Sequence, residues 1–335
     1  MASTTNVPPD PFAGRHPAQP QAGAPNAGRR RSRRVARAVS SALRPHLEAV
    51  ESRVFLSAYT LKPLMGQFSV NATGANPRST LIADASGNLF GTATTGGPYA
   101  DGTVFEIANG STAITMLASF DGTNGRNPVV GVVQDASGNL YGTTHQGGAN
   151  DEGTVFELPA GSNSITTLAS FDGSNGAGPQ AGLTLDASGN LYGTTTAGGA
   201  YDSGTIFEIP GGSSGTLTTL ASFNGLSATY GGLVLDASGN LYGTAASGGA
   251  DNYGAVYRFI KATSSIQIWA SFSKTDGAVP YAGLTCDAAG NLYGTTSQGG
   301  AYGDGTVFEM GATSAKITTL VSFNSTDGSG PLASV

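Results

Sequence analysis

The chain has 335 residues and a net charge of −6, with 51 glycines, 16 prolines, one cysteine and 11% charged residues. Glycine and proline together make up about a fifth of it, less than low-complexity disorder requires and far from the one-in-three glycine of collagen. The low charge and the abundance of Gly, Thr, Ser and Asn exclude a coiled coil or a helical bundle. No stretch approaches the ~18 apolar residues of a spanning helix, so a soluble all-β chain is expected.

Charge is unevenly placed along the chain. Residues 1–56 hold nine arginines against Asp10, Glu48 and Glu51, which leaves this head at +6 and the remainder at −12. With few large apolar residues to offset the entropy of ordering, residues 1–46 read as a disordered basic tail ahead of a folded body. Arginine runs attract phosphate, but a body at −12 repels a polyanion and no aromatic residues interleave to stack on bases, so nucleic acid is not expected as a partner. A targeting role is the other reading of this head. It lacks the apolar core of an ordinary signal peptide.

The body is a repeat. LIADASGNLFGT, VVQDASGNLYGT, LTLDASGNLYGT, LVLDASGNLYGT and LTCDAAGNLYGT place an aspartate at Asp84, Asp135, Asp186, Asp236 and Asp287, at spacings of 51, 51, 50 and 51. Each copy continues into a block such as GTVFEI and a third such as ITTLASF. In the third copy, residues 182–186, 190–195, 204–209 and 217–223 are rich in Val, Ile, Thr, Tyr and Phe and bounded by Gly, Asn and Asp, which predicts four strands. Asp186 accepts turn amides and Gly189 takes a positive φ, so Asp-Ala-Ser-Gly-Asn closes a hairpin, and the five aspartates read as turn devices. A ~50-residue unit of four antiparallel strands is the size of one β-propeller blade, which buries its faces only by stacking on neighbours. The expected fold is therefore an all-β propeller of five complete repeats with partial blade strands at both ends.

The string at 190–208 (NLYGTTTAGGAYDSGTIFE, with its echoes in the other copies) resembles the Gloeo-Verruco tandem repeat of bacterial "choice-of-anchor" surface proteins. Residues 47–58 (LEAVESRVFLSA) resemble the LEPR-XLL motif found near the N-termini of many planctomycete proteins, with Ser52 and Phe55 departing from the usual Pro and Leu. Residues 59–335 then form the propeller domain. The resemblance implies export and surface display; carbohydrate or cell-envelope components are the expected partners. It implies no activity.

The ends carry further expectations. Residues 61–68 (LKPLMGQF) match the fourth strand of a preceding blade, since Phe68 stands 52 residues before Phe120. Residues 331–335 (PLASV) match a first strand, in register with 280–284. The two segments are expected to meet in one incomplete blade, with any C-terminal anchor lying beyond residue 335.

Most chemistry-bearing residues read as architecture. Glu106, Glu157, Glu208 and Glu309 alternate with apolar neighbours on the third strand, where the fourth copy has Arg258, and are expected as exposed or blade-edge charges. His16, His46 and His145 are the only histidines, two of them in the head, which argues against an imidazole metal centre or a Ser-His-Asp triad. Cys286 has no partner for a disulfide and reads as a small buried hydrophobe. The Gly-Gly pairs make no phosphate loop, because no GxxxxGK[ST] and no following helix accompany them.

The loops between second and third strands are the exception: GGPYADG, GGANDEG, GGAYDSG, GGADNYG and GGAYGDG. Tyr99, Tyr201 and Tyr302, with Asp101, Asp202 and Asp304 beside them, are the candidate ligand-binding residues, offering rings to stack on carbohydrate. The same aspartates with loop carbonyls could take Ca²⁺, although no calcium motif is present. No other cofactor and no metal site is expected. The fourth copy departs most, with Tyr230, Arg258, Lys261 and Trp269. The function expected is a non-enzymatic, exported binding or display module. The alternative is a glycan-active lyase or hydrolase, which needs an unequal acid and base where the repeat supplies equal groups.

Overall fold

The computed structural model describes residues 73–211 and 216–335. The basic head, the 47–58 motif and the 61–68 segment lie outside the described residues, as do the expectations placed on them.

Five four-stranded antiparallel sheets follow one another, one per repeat, each paired in sequence order. In the third copy the strands are Thr184–Leu185, Leu191–Thr194, Thr205–Ile209 and Thr218–Ser222, each inside its expected stretch. The first sheet gains a short extra strand, Ala75–Pro77. A 3-10 turn at Lys261–Thr263 is the only helical turn among the described residues.

The third strand shows why each copy carries a nearly continuous apolar run. Thr205, Ile206, Phe207 and Ile209 are all buried, because both faces of the sheet are covered. Ile206 joins a core shared with the fourth sheet, whereas Phe207 and Ile209 join one shared with the second. A ring contact recurs at each of these interfaces. Phe120 lies edge-on to Phe156, Phe171 to Phe207, Phe223 to Tyr257 and Phe272 to Phe308, with centroids 5.0–5.1 Å apart. Such pairs add about 0.5–1.5 kcal/mol each beyond their area burial. The glycine of LYGT makes room for the ring: a Cβ on Gly193 would sit 2.5 Å from Phe207 Cζ.

At the first strands the sheets converge. A Cβ on Gly231 would lie 2.6 Å from Gly283 N and 2.7 Å from Ala282 O, so backbone nearly touches backbone there. Sheets that stack face to face while their first strands converge fan out about an axis, which is the architecture of a β-propeller. Threonine hydroxyls lock the fan. Thr244 Oγ1 donates to Ala282 O at 2.7 Å and Thr184 Oγ1 to Leu233 O at 2.6 Å, each crossing to the next sheet. Residues 331–335 repeat these bonds against the fifth sheet, with Thr295 Oγ1 donating to Ala333 O at 2.9 Å and Thr285 Oγ1 to Val335 O at 2.7 Å. They hold the place of a first strand, as their register implies.

Two positions depart from the repeat at a cost. Tyr257 replaces the phenylalanine of the other copies, and its hydroxyl is fully buried with no partner among the described residues. Val279 holds φ at 56°, in a left-handed conformation that a β-branched residue resists. Tyr257→Phe should raise stability by about 1 kcal/mol, since it removes an unmet polar group while keeping the ring. Val279→Asn should also stabilise, by about 1 kcal/mol, through relief of backbone strain. Urea denaturation measures both, and a loss of stability in either variant would contradict its assignment.

Candidate functional site

The aspartate hairpin is a closed hydrogen-bonded corner. Asp186 Oδ1 accepts from the Ser188 and Asn190 amides at 2.9 Å, and Oδ2 from Asn190 Nδ2 at 2.8 Å and the Tyr192 hydroxyl at 3.2 Å. Asn190 Oδ1 then accepts from the Gly211 amide at 2.9 Å, tying the corner to the next turn. Asp135, Asp236 and Asp287 repeat the pattern, and so does Asp84 without the tyrosine, because Phe90 stands in its place. These side chains spend their acceptors on the fold.

The third-strand glutamates differ from expectation. Tyr192 donates to Glu208 Oε1 at 2.9 Å, while Tyr141 and Tyr293 stand 3.4 Å from Glu157 and Glu309. These glutamates are half-buried, so they flank a tyrosine hydroxyl and are not free edge charges. In the third sheet Lys261 reaches over from the fourth, its Nζ donating to the Tyr192 hydroxyl at 3.3 Å. In the fourth sheet Arg258 takes the glutamate's place. Its guanidinium stacks 4.0 Å over the Trp269 ring, which meets Tyr242 edge-on.

The opposite end of each sheet carries the Gly/Tyr/Asp loops, and the linkers between sheets share that end: Asn127 N–H donates to Asp101 O at 2.8 Å and Gly330 N–H to Asp304 O at 2.8 Å. Tyr99, Tyr201 and Tyr302 stand at one equivalent position, with 64%, 58% and 67% of their surface exposed. They belong to the first, third and fifth sheets, with Asn150 and Asp251 at that position between them. The three rings therefore stand on three different sheets, none of them consecutive. The aspartates are not equivalent. Asp202 has φ at 52° and accepts from the Gly198 amide at 3.0 Å, as Asp151 does from Gly147, whereas Asp101 and Asp304 sit one position later, and Asp304 accepts from Ser325 Oγ at 3.0 Å. Asp151 also pairs with Arg126 at 2.8 Å. Among the described residues no three His, Cys, Asp or Glu side chains converge as metal ligands.

Sequence reasoning missed the concavities, which lie at the aspartate-hairpin end. A groove of about 450 Å³ between the fourth and fifth sheets is lined by Asp236, Tyr242, Trp269, Cys286, Asp287 and Leu292, and one of about 600 Å³ lies between the first and second. Cys286 is only partly buried, short of the buried hydrophobe expected, and burial, then the Asp287 and Asp236 charges, pushes its thiol above the ordinary value. Tyr230 and Tyr281 on adjacent sheets also pair, with centroids 5.2 Å apart. Their shared register, 51 residues apart, was the available signal.

A fan of near-identical four-stranded sheets joined by one recurring corner defines a tandem-repeat β-propeller. The chain belongs to the Gloeobacter/Verrucomicrobia repeat family, whose model matches residues 57–233 and 216–335. Among curated proteins it has no match. Solved structures similar to it include an extracellular domain from B. thetaiotaomicron at 13% identity, TM-score 0.48, covering 72% of this chain and 28% of that one. A chain of a nidogen/laminin complex is 16% identical, with TM-score 0.48 and coverage of 73% and 80%. The gluconolactonase XC5397 of Xanthomonas campestris is 13% identical, with TM-score 0.47 and coverage of 74% and 76%. The fold assignment rests on the chain's own sheets. No helix of the described residues is long and apolar enough to cross a membrane.

The corners set a pH response. Burial pushes the carboxyls of Asp135, Asp186, Asp236 and Asp287 up, and the hydrogen bonds they accept outweigh it, so each lies below the ordinary aspartate value. Stability from such a group is present above the unfolded pKa of about 3.9 and is lost as pH falls through the folded value. Burial, then the flanking carboxylates, pushes Tyr141 and Tyr293 up to about 12. Their share is present below about 10 and is lost as pH rises toward the folded value. Thermal melting should therefore show a plateau at neutral pH that falls away at both extremes. A melting temperature that climbs on acidification below pH ~4 would remove the corners from this account.

Proposed function

We propose that this chain is an exported or cell-surface repeat protein, a non-enzymatic binding and display module whose ligand face is the row of Gly/Tyr/Asp loops. The observation that carries this reading is the exposure of Tyr99, Tyr201 and Tyr302 at one equivalent position. Asn150 and Asp251 occupy the same position in the sheets between, so the loop accepts a polar residue there and no packing need keeps a ring in the solvent. Exposed rings with carboxylates near them suit stacking on the apolar faces of sugars, with hydrogen bonds to hydroxyls. Rings on alternate sheets suit a repeating polymer, where several shallow contacts act through avidity. Carbohydrate or another repeating component of the cell envelope is the ligand class, and family membership supports display.

The alternative is a glycan-active lyase or hydrolase using the groove beside Trp269. Its carboxylates argue against it. Asp236 and Asp287 accept turn amides, an asparagine and a tyrosine, and both lie below the ordinary carboxylate value, the reverse of what a general acid requires.

A soluble-polysaccharide pull-down should show weak binding that is lost when Tyr99, Tyr201 and Tyr302 are all replaced by Ala. Stability should change by less than about 0.5 kcal/mol per position, because the sites are exposed. Full binding in the triple variant would move the ligand face elsewhere. Calorimetry of the unmutated protein with and without EDTA separates carbohydrate from Ca²⁺ at the same loops, and product release from the polysaccharide would favour the enzyme.

A further inference from the structure

Four Asn-Gly pairs punctuate the repeats: Asn109-Gly110, Asn124-Gly125, Asn175-Gly176 and Asn224-Gly225. The dipeptide carries its own chemistry, because glycine has no side chain to keep its amide nitrogen away from the carboxamide before it. Three of the pairs are held. Asn109 Nδ2 donates to Ser86 O at 2.8 Å, and the Asn109 amide to Asn88 Oδ1 at 2.9 Å. Asn124 Oδ1 accepts from the Asp121 amide at 3.0 Å, and the Asn124 amide donates to Asp121 Oδ1 at 3.0 Å. Asn175 makes the same exchange with Asp172 and adds a bond from Nδ2 to Ser170 O at 3.5 Å, while the Gly176 amide donates to Gly173 O at 3.4 Å. Asn224 differs. It is exposed, and its carboxamide has no hydrogen-bond partner among the described residues. Gly225 beside it is exposed too, with φ at 75°.

The length of the linker explains the difference. Asn127 stands seven residues after Phe120 and Gly178 seven after Phe171, whereas Ala228, in the same left-handed conformation, stands five after Phe223. The shorter linker lacks the turn in which Thr123 and Asn124 bond to Asp121, and Leu226–Ser227 pairs directly with Ser247–Gly248. Described sheets flank this linker on both sides, the third before it and the fourth after it.

We propose that Asn224-Gly225 is a modification site, where the asparagine converts spontaneously to aspartate and isoaspartate in the folded protein. The Gly225 amide nitrogen attacks Asn224 Cγ, closing a succinimide ring. The Cγ–Nδ2 bond breaks, and Nδ2 leaves as ammonia with the proton that the Gly225 nitrogen gives up. Water then opens the ring. Its addition at Cγ gives aspartate, and its addition at the Asn224 backbone carbonyl gives isoaspartate, with the chain rerouted through the side chain. Either product puts a negative charge where a neutral amide stood, at the end of the sheets that bears the Gly/Tyr/Asp loops. Isoaspartate also lengthens the backbone beside a close contact, since a Cβ on Gly248 would lie 2.1 Å from Gly225 O.

The test incubates the folded 335-residue chain at mildly alkaline pH, where the attacking nitrogen loses its proton more readily, and follows each asparagine by peptide mapping and mass spectrometry. A parallel sample unfolded in guanidinium chloride reports each dipeptide without its structure. Unfolded, the four pairs should convert at similar rates. Folded, Asn224 should convert several-fold faster than Asn109, Asn124 and Asn175, and enzymatic methylation of isoaspartate should mark the peptide holding residue 224 ahead of the others. The converted protein should also melt below the fresh protein, and Asn224→Gln, incubated alongside, should keep its melting temperature. Asn124 or Asn175 converting as fast as Asn224 in the folded chain would overturn the proposal. So would an Asn224 that stays intact when folded while it converts in the unfolded sample.

Discussion

The structure depends on a ring from one sheet lying edge-on against a ring of the next. A single four-stranded sheet of this sequence has apolar side chains on both faces of its third strand, so it has no side it can leave in water. Stacking resolves this, and the Phe–Phe contact at 5.0–5.1 Å sets the spacing at which it happens. The requirement reaches back into the sequence. Glycine precedes the Thr of LYGT because any larger residue would strike the ring beneath it, as at Gly193 and Phe207.

Once stacking carries the fold, the two ends of the sheets take different work. At one end the aspartate corners consume their own polar groups, each carboxylate saturated by amides, an asparagine and, in four copies, a tyrosine. Charge there is bound up in structure, and the grooves beside it are walled by groups already paired. At the other end the loops meet the inter-sheet linkers through backbone bonds, and Tyr99, Tyr201 and Tyr302 keep most of their surface in solvent, whereas Asn150 at the equivalent position donates to Phe171 O at 3.1 Å. That end is where sequence can vary without loss of fold, and it is where the exposed tyrosines stand.

The fourth copy shows what the repeat tolerates. Arg258 replaces a glutamate without leaving a lone cation, because Trp269 replaces a leucine and takes the guanidinium on its face at 4.0 Å. Lys261 reaches back to the third sheet, where its ammonium joins the Tyr192 hydroxyl that Asp186 and Glu208 flank, and so offsets a crowding of negative charge. The two substitutions compensate locally. Nothing in the structure explains why Tyr257 carries a buried hydroxyl.

The residues by themselves determined the period, the number of strands per copy, the aspartate corner and the tyrosine loops, because each depends on hydrogen bonds or alternation within a few residues. Asp186, Ser188 and Asn190 close their turn whatever surrounds it. The tertiary structure decided what depends on partners in other strands or other sheets. Glu208 read as an edge charge because its partner, Tyr192, is 16 residues away and meets it only when the second and third strands pair. Burial of equivalent positions was equally illegible: Val307 and Val256 are the same residue at the same repeat position, yet Val256 is fully buried against the fifth sheet whereas Val307 is partly buried. Burial belongs to the stack, which a repeat sequence does not encode copy by copy.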